Sequence, residues 1–128
     1  MKFTVKTTIN ATAQEIYTTW LSSKGHTAMT GADANISAVV GKKFEAWDGY
    51  ISGTNLELIP HNKIVQVWRT TSFKESDEDS KIEIILNELK GKTELTLTHS
   101  NIPKDGEDYK KGWEDYYFKP MKDYFSKK

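Results

Sequence analysis

The side chains able to do chemistry in this sequence are few and scattered. His26, His61 and His99 stand far apart, with no His-x-x-x-His or carboxylate–histidine spacing that would set two ligands on one face of a metal site. There is no cysteine, so a thiolate ligand, a disulfide and a cysteine nucleophile are excluded. Asp48 and Glu57 read as a turn residue and an outward strand residue. Gly31, Gly41, Gly49 and Gly53 read as turn and bulge glycines. No nucleophile elbow, phosphate-binding glycine loop or dinucleotide fingerprint occurs. The expectation is no metal, no cofactor and no acid–base pair.

Two polar residues sit where a pocket would be lined. His99 shares strand parity with Leu95 and Leu97, which admits a pocket polar group or a general base. Its place at the strand end predicts instead a histidine touching solvent. Arg69 shares parity with Val65 and Val67, unless a bulge turns Trp68 inward in its place. A buried arginine would need a carboxylate or an anion, so a surface arginine stacked on a neighbouring ring is expected.

The richest stretch is aromatic. GWEDYYFKPMKDYF at 112–125 holds Trp113, Tyr116, Tyr117, Phe118, Tyr124 and Phe125. At a hundred degrees per residue, Tyr109, Trp113, Tyr116, Tyr117, Pro120, Met121 and Tyr124 fall on one broad arc. Lys111, Asp115, Lys119, Lys122 and Asp123 lie opposite, with Phe118 and Phe125 at the fringe. Such an arc is core against a sheet, or the wall of a pocket whose tyrosine hydroxyls supply its few polar groups. Pro120 lacks an amide donor and would clash with the carbonyl of Tyr116, which predicts a kink.

The elements that must position this arc follow along the chain. Residues 2–9 alternate as a strand, with Phe3, Val5, Thr7 and Ile9 on one face. Thr12-Ala-Gln-Glu15 fits a capping box ahead of a helix whose apolar face is Ile16, Tyr17, Trp20 and Leu21, and a weakly signalled second helical turn spans 22–28. Strands follow at 42–47, 50–59 and 63–73, the first two joined by the Asp48-Gly49 turn. Two more carry Ile82, Ile84 and Leu86, then Leu95 and Leu97. A long helix spans 105–126. The fold class is α+β, a curved antiparallel sheet of about six strands with one or two short helices after the first strand and a long C-terminal helix across it.

Composition bounds the rest. The chain has 128 residues and equal charges, 18 Lys plus Arg against 18 Asp plus Glu, as expected of a single domain over 1–128. A neutral balance argues against nucleic acid as partner, since phosphate neutralisation needs a basic surface. KESDEDSK at 74–81 and the basic end SKK read as a solvated loop and a solvated terminus. No stretch approaches a membrane span and the N-terminus lacks the apolar run of a signal peptide, so the expected location is cytoplasmic.

Several segments together resemble a known family: HTAMTGADANIS at 26–37, GKKFEAWDGYISGTNLELIP at 41–60, IVQVWRTTSF at 64–73, KTELTLTHSNIP at 92–103 and GWEDYYF at 112–118. Their order is similar to that of the START-like, birch-pollen-allergen-like helix-grip (SRPBCC) domains, in the branch named after the activator of heat-shock protein 90 ATPase. The resemblance implies a cavity between sheet and long helix for a small hydrophobic molecule, with Gly112 and Trp113 as fold determinants and Gly112 admitting a close approach of helix to sheet. It also implies a chaperone as partner. In the eukaryotic activators such a domain is the second of two, and 128 residues leave no room for the first. Some START-like relatives are enzymes, so an enzyme on the same scaffold is a further alternative.

The leading expectation is a non-catalytic domain binding a small hydrophobic ligand. Its cavity candidates are Trp20, Leu21 and Met29 from the first helix and the segment after it, and Phe44, Leu56, Val67, Ile84, Leu97 and His99 from the strands. Trp113, Tyr117 and Met121 come from the long helix, and Trp47 and Tyr50 flank the turn at an opening. The alternative is a chaperone-regulating interaction module with an exposed patch including Phe118 and Phe125.

Overall fold

A computed structural model describes residues 1–126; the basic pair Lys127 and Lys128 lies outside them. The strands are β1 (Phe3–Ile9), β2 (Lys43–Ala46), β3 (Ile51–Ile59), β4 (Lys63–Thr70), β5 (Ser80–Leu89) and β6 (Lys92–Ser100). Between β1 and β2 lie two helices, α1 (Ala13–Trp20) and α2 (Ser23–Thr30). The C-terminal helix runs in three pieces: α3 (Asp108–Trp113), a π segment (Glu114–Phe118) and α4 (Lys119–Ser126). The strands make one six-stranded sheet in the order β1-β6-β5-β4-β3-β2, antiparallel at every step. Among the described residues no helix is long and apolar enough to cross a membrane.

Local chemistry sets the first helix. Thr12 accepts from the Glu15 amide at 3.1 Å, and the Glu15 carboxylate accepts from the Thr12 amide at 3.0 Å. Two orphan donors of the first turn are thereby satisfied. Thr12→Ala is expected to cost about 1 kcal/mol, read as a lower denaturation midpoint with an unchanged slope. The second helix is complete rather than a single turn: Ser22 caps it through the Gly25 amide, and Gly31 ends it at φ 84°. Gly25, which weakens the helical pattern, is there because a Cβ would come within 2.9 Å of the Thr19 carbonyl.

The C-terminal helix departs from a plain α-helix where the proline predicts trouble. Lys119 N–H bonds the carbonyl of Glu114, five residues back. Pro120 could not have bonded Tyr116, and a widened turn gives its ring room. The widening also retunes the buried face. Trp113, Tyr117, Met121 and Phe125 are all buried at steps of four residues. In an unbroken α-helix each step overshoots a turn by about 40°, and three steps would drift by about 120°. The π segment absorbs that drift, so Phe118 and Phe125 are core residues instead of fringe ones. Tyr116 leaves the arc and is 60% exposed.

Two strands present faces other than those expected. In β4 the inward residues are Ile64, Gln66, Trp68 and Thr70, while Val67 and Arg69 are only half-buried on the other parity. Polar Gln66 and Thr70 on the inner face disguised the alternation. In β3 a bulge falls between Asn55 and Glu57 and turns Leu56 out to 45% exposure. Asn55 takes the inner position and is fully bonded there: its amide donates to the Ser37 and Val39 carbonyls and its oxygen accepts from Gln66.

Candidate functional site

The helix lies on the sheet through a continuous stack of rings. Trp113 meets Trp68 at 5.4 Å and Tyr117 at 5.0 Å between centroids, and Tyr117 meets Trp20 at 4.9 Å. A buried histidine locks each side of this stack. On the sheet side, the Trp113 indole N–H can only donate, so Nδ1 of His99 accepts at 3.1 Å. The proton of the neutral ring is therefore on Nε2 and goes to Ser80 Oγ at 2.8 Å, and the serine donates to the Trp68 carbonyl at 2.5 Å. On the side of the short helices, His26 Nδ1 donates to the Trp20 carbonyl at 2.9 Å, leaving Nε2 to accept from the Tyr117 hydroxyl at 2.8 Å. Burial holds His99 far below its ordinary value, at about 3. Burial also lowers His26, against the opposing pull of the Trp20 carbonyl. Both rings are neutral clamps with every ring nitrogen engaged.

His99 is thus fully buried, not the solvent-touching strand end expected. Strand β6 continues beneath Trp113, and the partners that make burial tolerable lie 14 and 19 residues away in sequence. Arg69 sits half-exposed as expected: it bonds Asp79 at 2.6 Å and lies over the Phe73 ring at 5.3 Å.

Beside the stack the interior opens. A cleft of about 400 Å³ runs between the helix and the β2–β3 corner. The corner supplies Trp47, Tyr50 and Ile51, the sheet supplies Trp68, and the helix supplies Asp108, Tyr109, Gly112, Trp113, Tyr116 and Tyr117. At its mouth hydroxyls pair: Tyr109 with Thr70 at 2.6 Å and Tyr50 with Ser72 at 3.0 Å. Burial pushes the Tyr109 phenol up to about 12. Burial also raises Tyr50, but hydrogen bonds from Ser72, Thr70 and Tyr109 outweigh it and the net direction is down. Tyr50 is therefore the more acidic phenol and the better hydrogen-bond donor of the two.

Four of the sequence candidates meet in this cleft: Trp47, Tyr50, Trp113 and Tyr117. Trp20, Leu21, Met29, Phe44, Ile84, Leu97 and Met121 are buried in the packed core and are not among its lining residues. Leu56 and Val67 point away for the reasons given by the bulge and the strand parity. Phe118 and Phe125 are buried and offer no surface patch. Sequence reasoning missed Trp68 because its parity was misassigned, and the close approach to the sheet expected of Gly112 is not found: a Cβ there would meet only the Tyr116 ring edge, at 3.9 Å.

Comparison with known proteins gives a consistent result. The family described as Activator of Hsp90 ATPase homolog 1-like protein matches residues 10–126. The Homo sapiens protein "Activator of 90 kDa heat shock protein ATPase homolog 1" is 33% identical over 125 residues, 97% of this chain and 37% of the human protein. The chain thus spans little more than a third of that relative. The crystal structure of an HSP90 activator from Plasmodium falciparum superposes with a TM-score of 0.84 at 26% identity, covering 93% of this chain and 91% of that one. The Aha1 dimer from Colwellia psychrerythraea has a TM-score of 0.81 at 19% identity, over 98% of this chain and 96% of that one, and shares the fold.

Proposed function

We propose that this chain, which belongs to the Activator of Hsp90 ATPase homolog 1-like family, is a non-catalytic chaperone-regulating module acting as one START-like unit in the cytoplasm. Its partner is a 90 kDa heat shock protein, whose ATP hydrolysis it promotes. The observation that carries this reading is the likeness to the Plasmodium falciparum HSP90 activator, which is nearly complete along both chains. The clamped histidines support a non-catalytic role, because using either ring as a base would break the contacts that hold the helix. Calorimetric titration of the chain into the chaperone tests the reading. Saturable binding that strengthens with nucleotide is expected, and absence of heat in every nucleotide state would remove it.

A second reading is favoured by the aromatic cleft, whose volume lies in the range of small-molecule sites, about 300–1,000 Å³. Under it the cleft takes a small hydrophobic ligand, on its own or as a signal to the chaperone interaction. Near-stoichiometric uptake of an apolar molecule, with a shift in tryptophan emission, is the expected result.

A further inference from the structure

Three departures from local rules meet at the cleft beside the C-terminal helix. Trp47 has φ 53°, in the left-handed region that a bulky side chain rarely occupies and that costs on the order of 1 kcal/mol. Its buried indole N–H, which faces the Tyr117 hydroxyl, completes no well-formed hydrogen bond. Gly112 sits inside a helix, where glycine is weaker than alanine by about 0.5–1 kcal/mol.

Packing explains none of the glycine. Elsewhere the helical and strand glycines have evident steric causes: a Cβ on Gly53 would run into the Val67 carbonyl and the Phe44 ring, and one on Gly25 into the Thr19 carbonyl. At Gly112 the φ is ordinary and the space around a Cβ is open. That space is the cleft. The turn from Ala46 to Gly49 requires positive φ at Trp47, but placing so bulky a residue there, beside a helical glycine, breaks local rules together at one place, as functional sites do.

The lining restricts the occupant. Its apolar walls are ring systems, those of Trp47, Trp68, Trp113 and Tyr116, with Ile51 the one aliphatic side chain among the described lining residues. Rings favour offset or edge contacts with other flat rings. Among the described residues no lysine or arginine lines the cleft, while Asp108 does, so an anionic head group would meet no counter-charge from them. Besides Asp108, the polar atoms at the mouth include the phenol oxygens of Tyr50 and Tyr109.

We propose that Gly112 leaves open the floor of a binding site for an uncharged, flat aromatic molecule carrying a hydroxyl or carbonyl oxygen, which meets Tyr50 at the mouth while its rings lie against Gly112 and the tryptophans. The inference rests on the second reading above, that the cleft takes a ligand, and names the ligand's class.

The test titrates the protein with 2-naphthol, naphthalene and laurate, following tryptophan emission and amide chemical shifts. Saturable 2-naphthol binding with shifts confined to residues 47–51 and 108–117 is expected, with laurate weaker. Gly112→Ala is expected to raise the melting temperature yet weaken 2-naphthol about tenfold or more, as an extra methyl in a close pocket does. Tyr50→Phe, at an exposed position, should weaken 2-naphthol about threefold to tenfold through a lost hydrogen bond and leave naphthalene unchanged. Laurate binding the cleft as tightly as 2-naphthol, or both variants binding 2-naphthol like the wild type, would overturn the ligand class while leaving a ligand site standing. Saturable binding of none of the three would overturn both.

Discussion

Trp113→Ala is expected to destabilise the protein by about 3–5 kcal/mol, the range for removing a buried large aromatic. Trp113 touches Trp68, Trp20, Tyr117 and His99 at once, so its loss opens a void that rigid rings cannot close. It also leaves His99 Nδ1 as a buried acceptor without its donor, which carries its own desolvation penalty of about 1–3 kcal/mol. Domains of this size stand only about 5–15 kcal/mol above the unfolded state, so the variant loses a large share of its stability. Trp113→Phe separates the two contributions, keeping a ring while removing the N–H. Urea denaturation should rank wild type above the Phe variant and that above the Ala variant. A Phe variant as stable as the wild type would show that the indole hydrogen bond contributes nothing.

Acid is expected to act nearly as strongly through the same residue. His99 is neutral in the folded protein with a value of about 3, against about 6.5 in an unfolded chain. Below the unfolded value the unfolded state takes up a proton that the folded state refuses, so stability falls as pH drops from about 6.5 toward 3. At about 1.4 kcal/mol per pH unit, the loss from His99 is about 2 kcal/mol by pH 5 and on the order of 5 kcal/mol by pH 3. His26 is lowered too and adds in the same direction. His99→Gln does not titrate, so its stability should depend on pH less steeply between pH 6 and 4, by up to one proton. Parallel wild-type and variant curves would show that His99 is not the acid-sensitive group.

What the sequence discloses divides by whether the cause is local. The capping box at Thr12 and the Asp48-Gly49 turn are local, and they are where the residues place them. The outline of sheet and gripping helix is also legible, because alternation and helical periodicity are repeated over enough residues to average out exceptions. The exceptions decide the site. Pro120 announces a disturbance, but that the helix answers with a π segment, turning Phe118 inward and Tyr116 outward, depends on what the sheet offers beneath. Gln66 and Asn55 look like outward residues until they are seen bonding each other inside. His99 looks exposed because its partners, Trp113 and Ser80, are remote in sequence. The cleft was only partly readable, since Trp47 and Tyr50 were placed at an opening by the turn alone, while the open space over Gly112 exists only once the helix is docked.

The proposed regulation of a 90 kDa heat shock protein by this chain is read in the chaperone's steady-state ATPase rate, measured against increasing concentrations of the chain. The rate is expected to rise and saturate, to be abolished by an inhibitor of the chaperone's ATP site, and to be weakened when Trp113→Ala loosens the fold. A rate that stays flat at concentrations where the chain is folded and soluble would contradict it.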